Sequence, residues 1–146
     1  ISLKEGIKSH TATRLSIDNT PRDLDLINMK TIAEKVFEPL REFVGGPIAI
    51  NSFYRSPKLN SAIGGSTSSQ HCIGCAIDID DKYGYKTNAE MYEYIKNNLD
   101  YDQMIWEFGT EDNPDWVHVS YVSEDANRRR CLQAYKENKK TKYRII

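Results

Sequence analysis

Ser69-Gln70-His71-Cys72-Ile73-Gly74-Cys75-Ala76-Ile77-Asp78-Ile79-Asp80-Asp81 runs a turn straight into a β-strand. Ala76 to Asp80 alternates with a period of two, which sets Asp78 and Asp80 on one face and Ile77 and Ile79 on the other. His71 stands on the turn, and it can converge with Asp78 because the chain bends back through Gly74. Far downstream, Trp116-Val117-His118-Val119-Ser120-Tyr121 is a second alternating run, in which Trp116, His118 and Ser120 share a face. Only three histidines occur in the chain, and two of them fall in these two stretches. A single histidine is most simply a packed or surface residue. Two imidazoles and a strand carboxylate instead make a three-ligand set for catalytic zinc, with a fourth position left for water. His71, Asp78 and His118 are therefore the expected metal ligands of a zinc hydrolase.

Such an enzyme also needs a base and a grip on its substrate. Glu107 closes the apolar run Met104-Ile105-Trp106, where a carboxylate is partly desolvated and its pKa rises towards a useful value. It is the first candidate for the base. Asp115 is the rival, three residues before His118, although a turn residue after Pro114 is the plainer reading of it. Asp80 is a third candidate, or a partner that orients a ligand. Arg55, in a turn after a strand, suits bidentate pairing with a substrate carboxylate, and a surface ion pair is its bland alternative. Ser69 and Gln70 offer hydrogen bonds to a substrate backbone. His10 lies in a polar stretch with no partner in sequence and reads as structural.

Outward from these residues the pattern is that of an α+β domain. Residues 1–27 are polar and mixed, with a turn at 17–21. Met29, Ile32, Val36, Phe37, Leu40 and Phe43 recur at helical spacing until Gly45-Gly46-Pro47, and Pro39 should kink that helix. Ile48 to Phe53 reads as a strand, and Thr87 with Glu90 forms a capping box for a helix to about Leu99. Gln103 to Phe108 and Trp116 to Val122 are two more strands. Weak alternation around Glu137-Asn138-Lys139 suggests a basic hairpin, with a helix as the alternative. Few helices and several short strands imply a small antiparallel sheet with flanking helices.

Composition bounds the rest. At 146 residues, with 39% hydrophobic and 28% charged, the chain is expected to be one domain spanning 1–146, and a monomer. No apolar run reaches the ~20 residues of a membrane span, and no signal-peptide pattern is visible. The net charge of -1 argues against a general nucleic-acid binder. From Arg128 onward, however, eight Lys or Arg face one acid, Glu137. That basic end could lean on an anionic polymer such as a cell wall, or be an edge strand protected by lysines. Cys72 and Cys75 form a Cys-x-x-Cys with no second pair, and Cys131 is alone, so small buried residues are preferred over a redox pair or a thiolate metal site.

Ser-Gln-His-x-x-Gly-x-Ala-x-Asp-Ile at 69–79 and Trp-x-His-x-Ser-Tyr at 116–121 together resemble the zinc D-alanyl-D-alanine carboxypeptidase family, including its endolysin-type L-alanyl-D-glutamate peptidases. Ile-Asn-Ser-Phe-Tyr-Arg-Ser-Pro at 50–57 and Tyr-Asp-Gln-Met-Ile-Trp-Glu at 101–107 extend the likeness over most of the chain. The resemblance implies the hedgehog/D-Ala-D-Ala-peptidase fold, zinc on His71, Asp78 and His118, a catalytic Glu at Glu107, and a substrate-anchoring Arg at Arg55. In members with an acid three residues before the last ligand, the base falls on Asp115. Phe53 and Cys75 depart from the small and the polar residue expected there. The implied activity is hydrolysis of a peptide bond in peptidoglycan stem peptides; with no signal peptide visible, synthesis in the cytoplasm and action on the wall are expected, by a route that the sequence does not tell. The rival from another class is a non-catalytic binding module that keeps zinc for stability. A Cys-x-x-Cys redox protein is the third reading.

Overall fold

A computed structural model describes residues 1–146. Two five-residue helices open the chain, α1 (Leu3–Ile7) and α2 (His10–Arg14), where the sequence reading had only a polar stretch. Each starts on a serine whose hydroxyl accepts a backbone N–H, Ser2 from Glu5 at 3.2 Å and Ser9 from Ala12 at 3.1 Å. Helix α3 (Asp23–Ile32) passes through a π-helical segment, Ala33–Phe37, into α4 (Glu38–Val44). Pro39 has no N–H for the ladder, and the widened turn ahead of it takes up the mismatch without breaking the helix. Gly45, at φ 77°, ends it.

Strand β1 (Ala49–Ser52) leads to α5 (Pro57–Ala62), a 3₁₀ turn at Gln70–Ile73, and β2 (Ala76–Asp80). Helix α6 (Asn88–Asn98) begins with the expected capping box, Thr87 Oγ1 accepting from Glu90 N and Glu90 Oε1 from Thr87 N, both at 3.1 Å. Strands β3 (Gln103–Glu107), β4 (Trp116–Ser120), β5 (Arg130–Glu137) and β6 (Lys140–Ile145) complete one six-stranded sheet in the order β1-β2-β4-β3-β5-β6.

The fold class is the α+β one that the sequence implies, and the basic tail is the hairpin β5–β6. Asn138 and Lys139, at φ 52° and 65°, form its two-residue turn. In one respect the sheet is not the small antiparallel one expected: β3 and β5 run parallel. The segment 121–129 carries the chain from the end of β4 past β3, and β5 starts at the same end. Backbone bonds hold that return in place, Arg129 N donating to Tyr101 O at 3.2 Å and Arg130 N to Asp102 O at 2.9 Å.

Period-two alternation gives the sheet two different faces. Ile77, Ile79, Met104, Trp106, Val117, Val119 and Cys131 point back into one core with Met29, Ile32, Val36, Leu40, Met91 and Ile95 from the helices. Burying each such side chain contributes about 1.5–3 kcal/mol, which fixes which way every strand faces. Asp78, His118 and Glu107 are thereby turned to the opposite face. Only a small apolar cluster, Ile105, Leu132 and Ala134 with Phe108 beside it, sits among them.

Candidate metal centre

Asp78 on β2 and His118 on β4 are directly paired in the strand register, and His118 is paired in turn with Ile105 on β3. Two residues along, on the same face, Trp116 is paired with Glu107. Neighbouring strands β2 and β4 therefore carry one candidate ligand each, and the next strand, β3, carries the Glu107 carboxylate.

His71 comes from the 3₁₀ turn instead. Ser69 caps that turn, its Oγ accepting from His71 N at 3.3 Å. Gly74 ends it at φ 76°, where an added Cβ would lie 2.5 Å from the Asp25 carbonyl oxygen. Glycine is the residue that this turn tolerates.

The three groups converge. His118 Nδ1 lies 2.9 Å and His71 Nε2 3.3 Å from Asp78 Oδ1, and one donor atom from each residue falls within 4.8 Å of the others. Donors on a tetrahedral zinc with ~2.0 Å bonds are about 3.3 Å apart. His71 is 1% exposed, and its Nδ1 is 2.7 Å from the Phe53 carbonyl oxygen, which can only accept. The proton is therefore on Nδ1, and the lone pair on Nε2 faces the site. That buried Nε2 has no hydrogen-bond partner in the chain. A buried, unpaired imidazole nitrogen beside a carboxylate fits a cation, and a carbonyl behind the ring is the usual support for a metal-binding histidine. Burial lowers the His71 pKa, which favours the neutral, ligating ring. Burial would raise Asp78, but the two imidazoles outweigh it and hold the carboxyl well below the usual range. His71, Asp78 and His118 thus form a set that could hold zinc.

The site opens into a cleft of about 950 Å³. Glu107 lines it, and burial pushes its pKa up to about 7. Asp115 is exposed on the loop before β4 and does not line the cleft. Asp80 is turned to Asn88, whose Nδ2 donates to it at 2.9 Å. Arg55, Ser69 and Gln70 lie on one wall. Arg55 donates from Nη2 to Ser69 Oγ at 3.3 Å, while its buried Nε has no partner. Gln70 Nε2 is held by Asp102 Oδ2 at 2.9 Å. Burial pushes Asp102 up, but Arg128, forked onto both its oxygens, and Gln70 hold it at about 2. His10 is exposed in α2 and is not part of this cleft. Cys72, Cys75 and Cys131 are free thiols, and Cys75 and Cys131 are buried.

Arg128, Lys136, Thr141 and Tyr143 line the cleft and were not singled out from sequence, nor was Asp102, which holds Gln70 and Arg128 from behind it. Asp102 lies inside the Tyr-Asp-Gln run at 101–103, which could have drawn notice. The three hairpin residues become visible only once the β5–β6 register is known.

Two imidazoles and a carboxylate lining an open cleft could hold a metal ion, as the centres of metal-dependent hydrolases do. The family model described as Peptidase M15 matches residues 2–120, and the chain belongs to that family. Membership supports a metallopeptidase acting on a peptide, with the His71, Asp78 and His118 group as a possible metal site. No curated protein matches the chain. No helix is long and apolar enough to cross a membrane.

Proposed function

We propose that this protein is a zinc peptidase, acting as one monomeric domain, that cleaves a peptide bond in peptidoglycan stem peptides. The bond is of the D-Ala-D-Ala carboxypeptidase or L-Ala-D-Glu endopeptidase type. The observation that carries this reading is the convergence of His71, Asp78 and His118 beneath a cleft that Glu107 also lines. Zinc bound there would supply Lewis acidity to a carbonyl oxygen and to water. Glu107 takes a proton from the attacking water and passes it to the leaving amine as the C–N bond breaks. Its raised pKa suits both halves of that task, because a group near 7 can accept and then give a proton at neutral pH.

Arg55 holds a substrate carboxylate. Its guanidinium lines the cleft beside Ser69, which supports this role. Ser69 is committed to Arg55 and to the His71 turn, and Gln70 to Asp102, so both meet the substrate from fixed positions. The basic hairpin beside the cleft favours an anionic polymer such as the cell wall.

Purified peptidoglycan incubated with the zinc-loaded wild type and with Glu107→Ala tests the reading, with products identified by mass spectrometry. New termini from the wild type and none from the variant are expected, and those termini separate carboxypeptidase from endopeptidase. Equal product from both, or none from either, would discard the enzymatic reading in favour of a zinc-stabilised binding module.

A further inference from the structure

The hairpin β5–β6 lies beyond the residues matched to the family, yet it builds one wall of the cleft through Leu132, Lys136, Thr141 and Tyr143. Parallel pairing sets Glu107 beside Ala134, and antiparallel pairing sets Ala134 beside Tyr143. Glu107 and Tyr143 therefore stand on one cross-strand row, two strands or about 10 Å apart at Cα, facing the same way. The residue between them has only a methyl group and is fully buried. On that row only a methyl group stands between the two side chains.

Several other polar side chains of the cleft are already occupied. Gln70 is bonded to Asp102, Ser69 to Arg55, and Lys136 Nζ to Thr141 Oγ1 at 2.7 Å. Tyr143 enters none of these pairs, and it is 55% exposed. Partial burial first, and then the carboxylates of Glu107 and Asp78, raise its pKa. It remains a neutral O–H donor at every pH at which a peptidase of this kind would work.

We propose that Tyr143 is a further catalytic residue of this site, whose phenol donates a hydrogen bond to the scissile carbonyl oxygen as that oxygen gains negative charge. The assignment rests on the peptidase reading above. A preorganised donor aimed where charge develops stabilises the transition state more than the substrate, so the effect belongs in kcat. The phenol keeps its proton throughout. Water adds to the carbonyl carbon, Glu107 carries the proton to the amine, and the hydrogen bond to the oxygen relaxes as the carboxylate product forms.

Tyr143→Phe keeps the ring and the hairpin and removes only the hydroxyl. With stem peptides as substrate, kcat is expected to fall about 100-fold with KM little changed. Zinc content should stay that of the wild type. Placement is read separately in the metal-free protein by NMR of ¹³Cζ-labelled tyrosine. Glu107→Gln should shift the Tyr143 resonance, identified by its loss in Tyr143→Phe, more than those of Tyr83 and Tyr85. A wild-type kcat in Tyr143→Phe, a change in KM alone, or a Tyr143 resonance indifferent to Glu107→Gln would overturn the assignment while leaving the peptidase reading intact. Absence of hydrolysis by the wild type would overturn both.

Discussion

The carbonyl oxygen of Phe53 lies 2.7 Å from Nδ1 of His71, and this contact decides which nitrogen of the ring faces the cleft. It comes from the end of β1, where the register with β2 shifts between Ile50 and Ser52. The Phe53 side chain, unexpected at this position, is itself buried in the core. A large residue there anchors the backbone group that orients the ligand.

Metal binding should therefore be tight and coupled to stability. One zinc per chain is expected by elemental analysis, and chelation should lower the melting temperature. Zinc in 1,000-fold excess over its Kd contributes about 4 kcal/mol. His71→Gln and His118→Ala should each lose that increment. Identical melting curves with and without chelator would exclude a metal at these residues.

Glu107 makes a second, metal-independent prediction. Its carboxyl rises from 4.5 to about 7 in the folded chain because burial penalises the anion. The folded state thus holds a proton that the unfolded state releases between those values, so this contribution is full below pH 4.5 and is lost as pH rises through 7. In the metal-free protein, Glu107→Gln should be more stable than wild type at pH 8, by up to about 3 kcal/mol, and should gain nothing at pH 4. Urea unfolding at the two pH values measures this, and a pH-independent difference would contradict it.

Activity should show an acid limb from the same group. Protonated Glu107 cannot accept a proton from water, so kcat/KM should decline as pH falls through about 7, or somewhat lower because a bound cation favours the anion. Acid also competes with the metal for the imidazole nitrogens, which adds to the loss. Full activity at pH 4.5 would be incompatible with this base and these ligands.

Arg55 should act in binding. Arg55→Lys keeps the charge but removes the planar fork that suits a carboxylate. Losing a charged hydrogen bond costs about 1.5–3 kcal/mol, so KM should rise roughly 10- to 100-fold. An unchanged KM in Arg55→Lys or Arg55→Ala would remove Arg55 from the substrate's contacts.

What could be read in the sequence followed from local pattern. Asp78 and His118 were legible because a period of two fixes a strand's face once Ile77, Ile79, Val117 and Val119 must be buried. The capping box of α6 needed only Thr87 and Glu90. The parallel partner of β3 was not legible, because its direction depends on how Tyr101 and Asp102 hold the returning segment, through backbone bonds and the Asp102 carboxylate on Arg128, contacts that leave no periodic pattern. The Phe53 carbonyl carries no side-chain identity and leaves no mark in a sequence. Tyr143 was hidden because every residue of β6 is exposed, so no hydrophobic alternation reveals which side faces the cleft.

Gly74 joins the local pattern to the site. It ends the turn that carries His71, in a left-handed conformation, with the Asp25 carbonyl oxygen 2.5 Å and Met29 Cγ 2.8 Å from where a Cβ would stand. Gly74→Ala meets both penalties at once, about 1–2 kcal/mol for the backbone and about 1–3 kcal/mol for crowding against α3. Relief requires the turn to move, and that displaces His71 from Asp78. Zinc affinity should therefore fall along with a stability loss of about 2–4 kcal/mol. Cys72→Ser, in the same turn on a half-buried thiol, should change both little. Calorimetry of zinc binding on the two variants separates the cases: equal affinities would mean that the turn does not position the ligand, and a large loss in Cys72→Ser would restore the thiol pair as a functional element.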